Sequence, residues 1–304
     1  MYKFKRLLIC LDQSDMDDTL IKAAAEYATF GRADNMYFVT VVKSLQVPAA
    51  INKQYPDVFV PLDEGIEKEM NKRIENAFSD ITCDCHFDVL EGDPTHQIIR
   101  WAQVKDIDLI IMGKKQYHIG KGITSRNIVN IVHCSVLFVT ANSKIEPKTI
   151  LLPTDFSKAS HLAFQKAVKI ASLVNATLTC LHTYEVPTGF HATGKTYDEF
   201  AEIILHHSKE DFKEFIQEED ITMPDIKVEY LLDKHGHPNK IVGDYAQSHR
   251  FDLVVIGSKG RTALSSVLLG SVAAKLVDAD FEVPILVIKS KEANLKLIDA
   301  ILRL

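Results

Sequence analysis

Two glycine-containing segments near the end of the chain have the residue types and the spacing of an anion-binding site. Gly257-Ser258-Lys259-Gly260 is followed, after nine residues, by Gly270-Ser271. Glycines let backbone N–H groups approach a phosphate closely, and a helix that begins near Gly270 would point its positive end at that group. Ser271 can add a hydroxyl donor and Lys259 a positive charge. The pattern predicts a phosphate site, although a turn before a helix would use the same glycines.

The chain consists of two copies of one long repeat. Lys5–Ser14 is similar to Lys148–Ser157, and Gly92–Gly113 is similar to Gly236–Gly257, at offsets of 143 and 144 residues. A repeat of this length is a whole domain, and a short polar stretch that ends in Pro147 separates the copies. We predict one domain over residues 1–144, a second over 145–290, and a helical tail over 291–304.

Short apolar runs alternate with helical patterns in each copy, which is typical of a parallel sheet covered by helices. The strands predicted in the first copy are Leu7–Leu11, Met36–Val42, Phe87–Leu90, Leu109–Met112 and Val136–Val139. Those predicted in the second copy are Ile150–Leu152, Leu178–Thr183, Val228–Leu232, Leu253–Ile256 and Ile285–Ile288. The fold class is therefore α/β, with two tandem doubly wound domains. Ligands of such sheets bind beyond the carboxyl ends of the strands, where the winding direction reverses, and the glycine segments follow the fourth strand of the second copy.

Composition narrows the classes of protein that the chain can belong to. It is 46% hydrophobic with a net charge of −6, which excludes a disordered chain. Its apolar runs are far shorter than a membrane span, and Arg6 is followed by only five apolar residues, so we expect neither a membrane protein nor a signal peptide. Basic residues are not in excess, so nucleic acid is not an expected partner. Five cysteines, an odd number, suit free thiols in the cytoplasm.

The spacing Gly257-x2-Gly260-x9-Gly270-Ser271 resembles the nucleotide-binding motif of the ATP-binding branch of the universal stress protein family. The turn Asp155–Ser157 and the segment Pro284–Ile288 also resemble that family. The resemblance covers about residues 3–290, so the chain resembles a tandem universal stress protein. It implies a five-stranded parallel sheet of order 3-2-1-4-5 in each copy, flanked by helices.

The resemblance also implies a ligand and its contacts. The implied ligand is ATP, or ADP or AMP, with or without Mg²⁺, with at most slow hydrolysis. Its site residues fall in the second copy, in the loop that meets adenine and ribose (Pro153, Thr154, Asp155), at the adenine edge (Thr183), near the ribose (Ile256, Gly257) and along the phosphates (Lys259, Gly260, Gly270, Ser271, Val272, Ala273). The family further implies pairing of the domains through their last strands. Homodimerisation is compatible with the pattern.

The first copy departs from this motif. With Gly122 placed opposite Gly270, Ile123 replaces Ser271 and Gln116 replaces Gly260. Eight residues separate Gly113 from Gly122, against twelve in the second copy. A branched apolar side chain cannot donate a hydrogen bond to a phosphate, so we expect the first copy to serve as a structural partner.

Several other interpretations stay open. Asp155 can contact a ligand or cap a turn, whereas Ser157 has the position of a helix N-cap, and no histidine motif makes it a nucleophile. Cys83-Asp84-Cys85-His86 could hold a soft metal, but no second ligand cluster completes the set. We therefore expect no metal site and no catalytic residue. The main prediction is that the protein is a nucleotide-binding stress sensor or regulator. The alternatives are an interaction scaffold with no nucleotide and, less well supported, a hydrolase or nucleotidyl transferase on a related fold.

Overall fold

The computed structural model describes residues 4–31, 33–45, 62–114, 122–144, 146–217, 226–260 and 269–291. The chain divides into two compact units, one formed by Met1–Ile145 with Lys291–Leu304 and the other by Glu146–Ser290. Most of the predicted helical tail, residues 292–304, lies outside the described residues. None of the helices in the described ranges combines the length and the apolar character that a membrane crossing requires.

The first unit is a parallel sheet with helical connections. Its elements are β1 (Arg6–Leu11), α1 (Met16–Gly31), β2 (Asn35–Val42), α2 (Leu62–Ala77), β3 (Asp84–Glu91), α3 (Pro94–Val104), β4 (Leu109–Gly113), α4 (Gly122–Ile131) and β5 (Ser135–Val139). The strands lie in the order β3-β2-β1-β4-β5, and the paired strands run parallel. The predicted sheet order 3-2-1-4-5 is thus confirmed in this unit.

The second unit repeats the plan. Its elements are β6 (Thr149–Pro153), α5 (Lys158–Val174), β7 (Thr177–Tyr184), a 3-10 helix (Thr188–Thr193), α6 (Tyr197–Gln217), β8 (Ile226–Leu232), α7 (Pro238–Ser248), β9 (Leu253–Gly257), α8 (Ser271–Asp278) and β10 (Ile285–Ile288). Its strands lie in the order β8-β7-β6-β9-β10 and also run parallel. Each of the ten predicted strands falls within a strand of the structure.

The central strands are buried on both faces, as their continuous apolar runs predict. Leu7, Leu8 and Ile9 of β1 have no solvent exposure, and neither do Ile150, Leu151 and Leu152 of β6. Side chains on both faces of each sheet are therefore packed against other parts of the protein, which is what a sheet between two helical layers requires. This burial supplies the rigid frame on which the loops of the carboxyl edge are held.

A carboxylate ties the first strand of each unit to the fourth. Asp108, just before β4, accepts hydrogen bonds from the backbone N–H groups of Lys5 and Arg6 at 2.9 and 3.0 Å. Asp252, just before β9, accepts them from Lys148 and Thr149 at 2.8 and 3.1 Å. Because the strands run parallel, fixing their amino ends also fixes their carboxyl ends side by side. Those carboxyl ends are where a ligand of a doubly wound sheet binds.

Candidate functional site

The turn from β6 into α5 is held by the side chain of Asp155. Its Oδ1 accepts a hydrogen bond from the Ser160 hydroxyl at 2.6 Å and another from the Ser157 backbone N–H at 3.1 Å. Ser157 is the N-cap of α5, and its hydroxyl oxygen accepts a hydrogen bond from the Ser160 N–H at 3.2 Å. The predicted N-cap role of Ser157 is thus confirmed. Asp155 has a capping role as well, carried by one of its two oxygens.

A histidine that the sequence analysis did not select fixes the shape of the same turn. Phe156 adopts a left-handed backbone conformation, with φ of 61°, and its ring stacks on that of His182 at a centroid distance of 4.3 Å. His182 Nδ1 lies 2.8 Å from the carbonyl oxygen of Thr154. A carbonyl oxygen only accepts, so Nδ1 carries the proton and donates it. The stacked pair and this hydrogen bond together stabilise a backbone conformation that is uncommon for a residue other than glycine.

The glycine segment after β9 comes close to Asp155. A Cβ atom built on Gly260 would lie 2.8 Å from Asp155 Oδ2, closer than non-bonded atoms pack. The two segments are 105 residues apart in the sequence, yet the backbone at Gly260 lies next to the carboxylate that the β6–α5 turn presents. The structure therefore brings together two of the regions that the sequence assigned to one site.

The segment that opens α8 completes this group. A Cβ atom on Gly270 would lie 3.3 Å from the backbone N of Gly260 and 3.3 Å from Cα of Lys259. Gly270 is the N-cap of α8, and its own N–H donates to the carbonyl oxygen of Ser258 at 2.8 Å. Three backbone segments thus meet at the carboxyl edge of the sheet. A helix N-terminus and two glycines lie among them, an arrangement suited to an anion.

Gly257 has a packing role that its place in the motif does not reveal. A Cβ atom there would lie 2.7 Å from the carbonyl oxygen of Ala159 in the first turn of α5. The glycine therefore allows α5 to lie directly against the end of β9. This contact also explains how the β6–α5 turn and the glycine segment can approach each other.

The remaining predicted site residues differ in exposure. Pro153, Thr154, Ile256 and Ala273 are buried, whereas Thr183, Lys259 and Val272 are half-buried and Ser271 is exposed. Burial lowers the pKa of Lys259 below the ordinary lysine value. An ammonium group with a lowered pKa gains stability when an anion binds beside it. Residues 261–268, which connect Gly260 to α8, lie outside the described residues.

The equivalent turn of the first unit, from β1 into α1, contains an additional carboxylate. Asp17, which occupies the position of Ser160, is fully buried and accepts hydrogen bonds from the N–H groups of Asp12 and Gln13 at 3.0 and 2.9 Å. Burial raises the pKa of Asp17, and the neighbouring Asp12 carboxylate adds to the rise. Gln116, the predicted counterpart of Gly260, lies outside the described residues, and Gly122 is the first residue of α4.

These observations define a protein with two doubly wound α/β domains and a glycine-lined site at the carboxyl edge of the second sheet. The family model described as "Universal stress protein family" matches residues 3–140 and again residues 146–289. The chain belongs to the universal stress protein family and contains two copies of its domain.

Individual relatives agree with this assignment. Universal stress protein MJ0531 of Methanocaldococcus jannaschii is 29% identical over 144 residues, which is 47% of this chain and 82% of the relative. The crystal structure of the functionally unknown protein PA1789 from Pseudomonas aeruginosa has a TM-score of 0.68 at 17% identity, covering 99% of this chain and 98% of that one. A universal stress protein from Archaeoglobus fulgidus has a TM-score of 0.64 at 17% identity, covering 95% of this chain and all of its own. At these identities the two structures support the fold alone.

Proposed function

We propose that the second unit binds an adenine nucleotide, ATP or its products ADP and AMP, and that the protein acts as a nucleotide-dependent stress sensor or regulator. The observation that carries this proposal is the meeting of Asp155, Gly260 and Gly270 at the carboxyl edge of the sheet. Any side chain larger than hydrogen at Gly260 would collide with the Asp155 carboxylate. Gly260 lies beside that carboxylate and Gly270 beside the backbone of Lys259 and Gly260, which supports a ligand shared by the carboxylate and the N-terminus of α8.

The chemistry of the assembled residues fits the parts of a nucleotide. The first turn of α8 and the ammonium group of Lys259 suit the phosphates, with the exposed Ser271 hydroxyl as a further donor. The Asp155 carboxylate suits the hydroxyls of a ribose. Thr154 follows β6, Thr183 lies near the end of β7 and Ile256 near the end of β9. The proposal assigns Thr154 and Thr183 to the adenine side of the ligand and Ile256 to the surroundings of the ribose. A bound Mg²⁺ would compensate the charge of the phosphates.

The same residues favour binding over rapid chemistry. The hydroxyls of Ser157 and Ser160 both hold the β6–α5 turn. A serine nucleophile needs a base aligned on its hydroxyl, and here the Ser160 hydroxyl donates to the carboxylate that shapes the turn. We therefore propose at most slow ATP hydrolysis.

Replacement of Gly270 by leucine tests the proposed site. A Cβ branch would enter the space between Gly270 and the backbone of Lys259 and Gly260, so Gly270→Leu should abolish ATP binding in calorimetric titration of the nucleotide-free chain. Gly65→Leu is the matched control, because a Cβ on Gly65 would meet no described atom within 4 Å. It should bind ATP like the wild type. Unchanged affinity in a folded Gly270→Leu protein, or no binding by the wild type, would contradict the proposal and favour a scaffold.

The predicted pairing of the two copies through their last strands is proposed as well. β5 and β10 each end the strand order of their own unit, and an edge strand with unpaired backbone groups tends to pair. The two halves, expressed separately, should associate when mixed, as measured by analytical ultracentrifugation. Halves that stay monomeric in the mixture would refute the pairing. The cytoplasmic location, which rests on cysteine usage, stays a prediction.

A further inference from the structure

Two half-buried cysteines lie on either side of the first residue of β3, a spacing at which alternating side chains share one side of an extended backbone. Cys85 is the second residue of β3, and Cys83 lies just before the strand begins. Side chains alternate along a strand, so Asp84 and His86 face the opposite side. There the ring of His86 stacks on Tyr37 at 5.3 Å, and its Nε2 lies 3.2 Å from Asp84 Oδ2. The imidazole is therefore turned away from both thiols, so the Cys-x-Cys-His segment suits a dithiol pair better than a metal site.

The spacing of the two cysteines is compatible with a disulfide between them. Residues two apart in a strand have Cα atoms about 6.6–6.8 Å apart, at the upper end of the range that a disulfide spans. Cys83 precedes the residues that pair with β2, and its N–H donates to the carbonyl oxygen of Ile81 at 3.1 Å. Its backbone can thus adjust without breaking the ladder. β3 is also the outermost strand of the first unit, so one neighbouring strand alone restrains it there.

The thiols of Cys83 and Cys85 differ in pKa. A hydrogen bond from the Cys85 thiol lowers the pKa of Cys83, against the opposing effects of burial and of the Asp84 and Asp34 carboxylates. The same hydrogen bond, together with burial, raises the pKa of Cys85. Asp34 is itself paired with Lys5 at 3.4 Å, which reduces its influence. Cys83 is therefore the thiol of the pair that ionises first. In its protonated form its Sγ donates to the carbonyl oxygen of Ala33 at 3.7 Å.

The other three cysteines lack these properties. Cys134 and Cys180 are fully buried, and burial raises the pKa of Cys180 to about 12. Cys10 is half-buried, as Cys83 and Cys85 are, but its surroundings raise the pKa of its thiol through burial. Oxidants react with thiolates that solvent reaches, so the pair at β3 is the reactive one among the five cysteines.

We propose that Cys83 and Cys85 form a redox site that a hydroperoxide converts reversibly into an internal disulfide. The Cys83 thiolate attacks the terminal peroxide oxygen, the O–O bond breaks, and the leaving oxygen departs with a proton as water or an alcohol. The Cys85 sulfur then attacks the Cys83 sulfenic acid. Its proton leaves with the hydroxide as water, and the S–S bond forms. Two thiols thus lose two electrons to one peroxide. A disulfide near the geometric limit is easily reduced, so a small thiol can restore the pair.

Mass spectrometry of the full chain after exposure to hydrogen peroxide tests the site directly. After alkylation in denaturant, two of the five cysteines should be protected. The peptide that contains Cys83 and Cys85 should have lost two hydrogen masses, and dithiothreitol should restore both thiols. Cys83→Ser should slow thiol loss by about tenfold or more, because a thiolate is the attacking species. Cys85→Ser should stop at a sulfenic acid on Cys83 that dimedone captures.

Cys180→Ala serves as the matched control, since it removes a buried thiol and should leave the peroxide reaction unchanged. Mass spectrometry of the wild-type chain after peroxide tests the proposal without any variant. A variant that misfolds would therefore not prevent the test. Full alkylation of Cys83 and Cys85 after peroxide would overturn the proposal. So would a bond to another cysteine, a bond between two chains, or sulfinic acid in place of the internal disulfide.

Discussion

At the scale of single residues, three glycines of one motif have different physical roles. Gly257 allows the first turn of α5 to lie against β9, with Ala159 as its neighbour. Gly260 leaves space for the Asp155 carboxylate, and Gly270 allows the start of α8 to approach the backbone of Lys259. Packing alone explains why residue 257 is a glycine, and no ligand is needed for that explanation. The other two line the proposed site, so substitutions at these two should separate nucleotide binding from folding.

Lys259 gives the proposed site a testable dependence on pH. Burial lowers its pKa, so the ammonium group loses its proton at a lower pH than an ordinary lysine, whose pKa is about 10.4. The charged form is the one that attracts phosphate. The Kd for ATP should therefore rise as the pH increases through the lowered pKa of Lys259. Bound phosphate favours the ammonium form, so binding at alkaline pH should take up protons.

Calorimetry in buffers of different ionisation enthalpy measures both the Kd and the proton uptake. Lys259→Met should bind ATP more weakly at neutral pH and should lose the alkaline rise in Kd. Wild-type and Lys259→Met proteins with the same pH profile would show that this lysine does not meet the phosphates.

Sequence reasoning found the cap at Ser157 but not the two residues that shape the turn around it. Ser157 was predictable because an N-cap is a local pattern of a polar residue before an apolar helix. Ser160 and His182 act on Asp155 and Thr154 through contacts that arise only in the folded chain, and His182 lies 28 residues from its partner. No spacing rule links them. Of the two roles predicted for Asp155, the structure shows capping by Oδ1, while contact of the second oxygen with a ligand stays a prediction.

At the scale of helices and strands, α3 and α7 occupy equivalent positions in the two units but have different N-caps. Asp93 caps α3, and its Oδ1 accepts a hydrogen bond from the His96 N–H at 2.9 Å. His237 occupies the same place before α7 and makes no side-chain cap hydrogen bond there. The two helices have equal lengths and each begins with proline, so the cap is the main difference at their amino ends.

Asp93→Ala should lower the free energy of unfolding of the first unit by about 1 kcal/mol, because it removes this cap. His237→Ala, its control, should change the stability of the second unit by much less. The single tryptophan of the chain, Trp101, lies in α3, so its fluorescence in denaturant reports on the first unit, and circular dichroism follows the unfolding of both units. An equal loss of stability in both variants would show that the Asp93 hydrogen bond contributes nothing measurable.

The strands of both sheets were predictable because buried parallel strands are continuous apolar runs. The start of β3 was missed, since Asp84 and His86 are exposed and polar on one face and give no such run. The 3-10 helix at Thr188–Thr193 was missed as well, because its residues show no helical repeat of apolar positions. Pattern reasoning thus fails at a sheet edge and in a short connection, where burial does not constrain the residue type.

At the scale of the whole molecule, the two copies share a sheet plan but differ in charge at the edge where a nucleotide would bind. The turn of the first unit has Asp17 where the second has Ser160, and Asp18 follows it in the first turn of α1. Asp12 and Asp17 lie close enough that each disfavours the charge of the other. A polyphosphate would add further negative charge to this group, which opposes its binding.

We therefore predict one tightly bound nucleotide per chain. The first copy lacks the counterparts of Gly260 and Ser271, has a shorter connection before α4, and carries the additional carboxylate of Asp17. Loss of one hydrogen-bond donor to a phosphate oxygen costs about 1–3 kcal/mol of binding free energy. Several such losses together weaken binding by orders of magnitude. Titration of nucleotide-free chain with ATP should saturate at one equivalent.

Variants of each copy decide which site is filled. Gly260→Gln combined with Ser271→Ile imposes the first copy's residues on the second and should remove the single equivalent, since a side chain at position 260 meets Asp155 Oδ2 within 2.8 Å. Asp12→Asn, which changes the first copy's counterpart of Asp155, should leave the stoichiometry and the affinity as they were. Loss of binding on Asp12→Asn would place the nucleotide in the first copy. Two equivalent tight sites would mean that neither the added carboxylate nor the shortened connection prevents binding in the first copy.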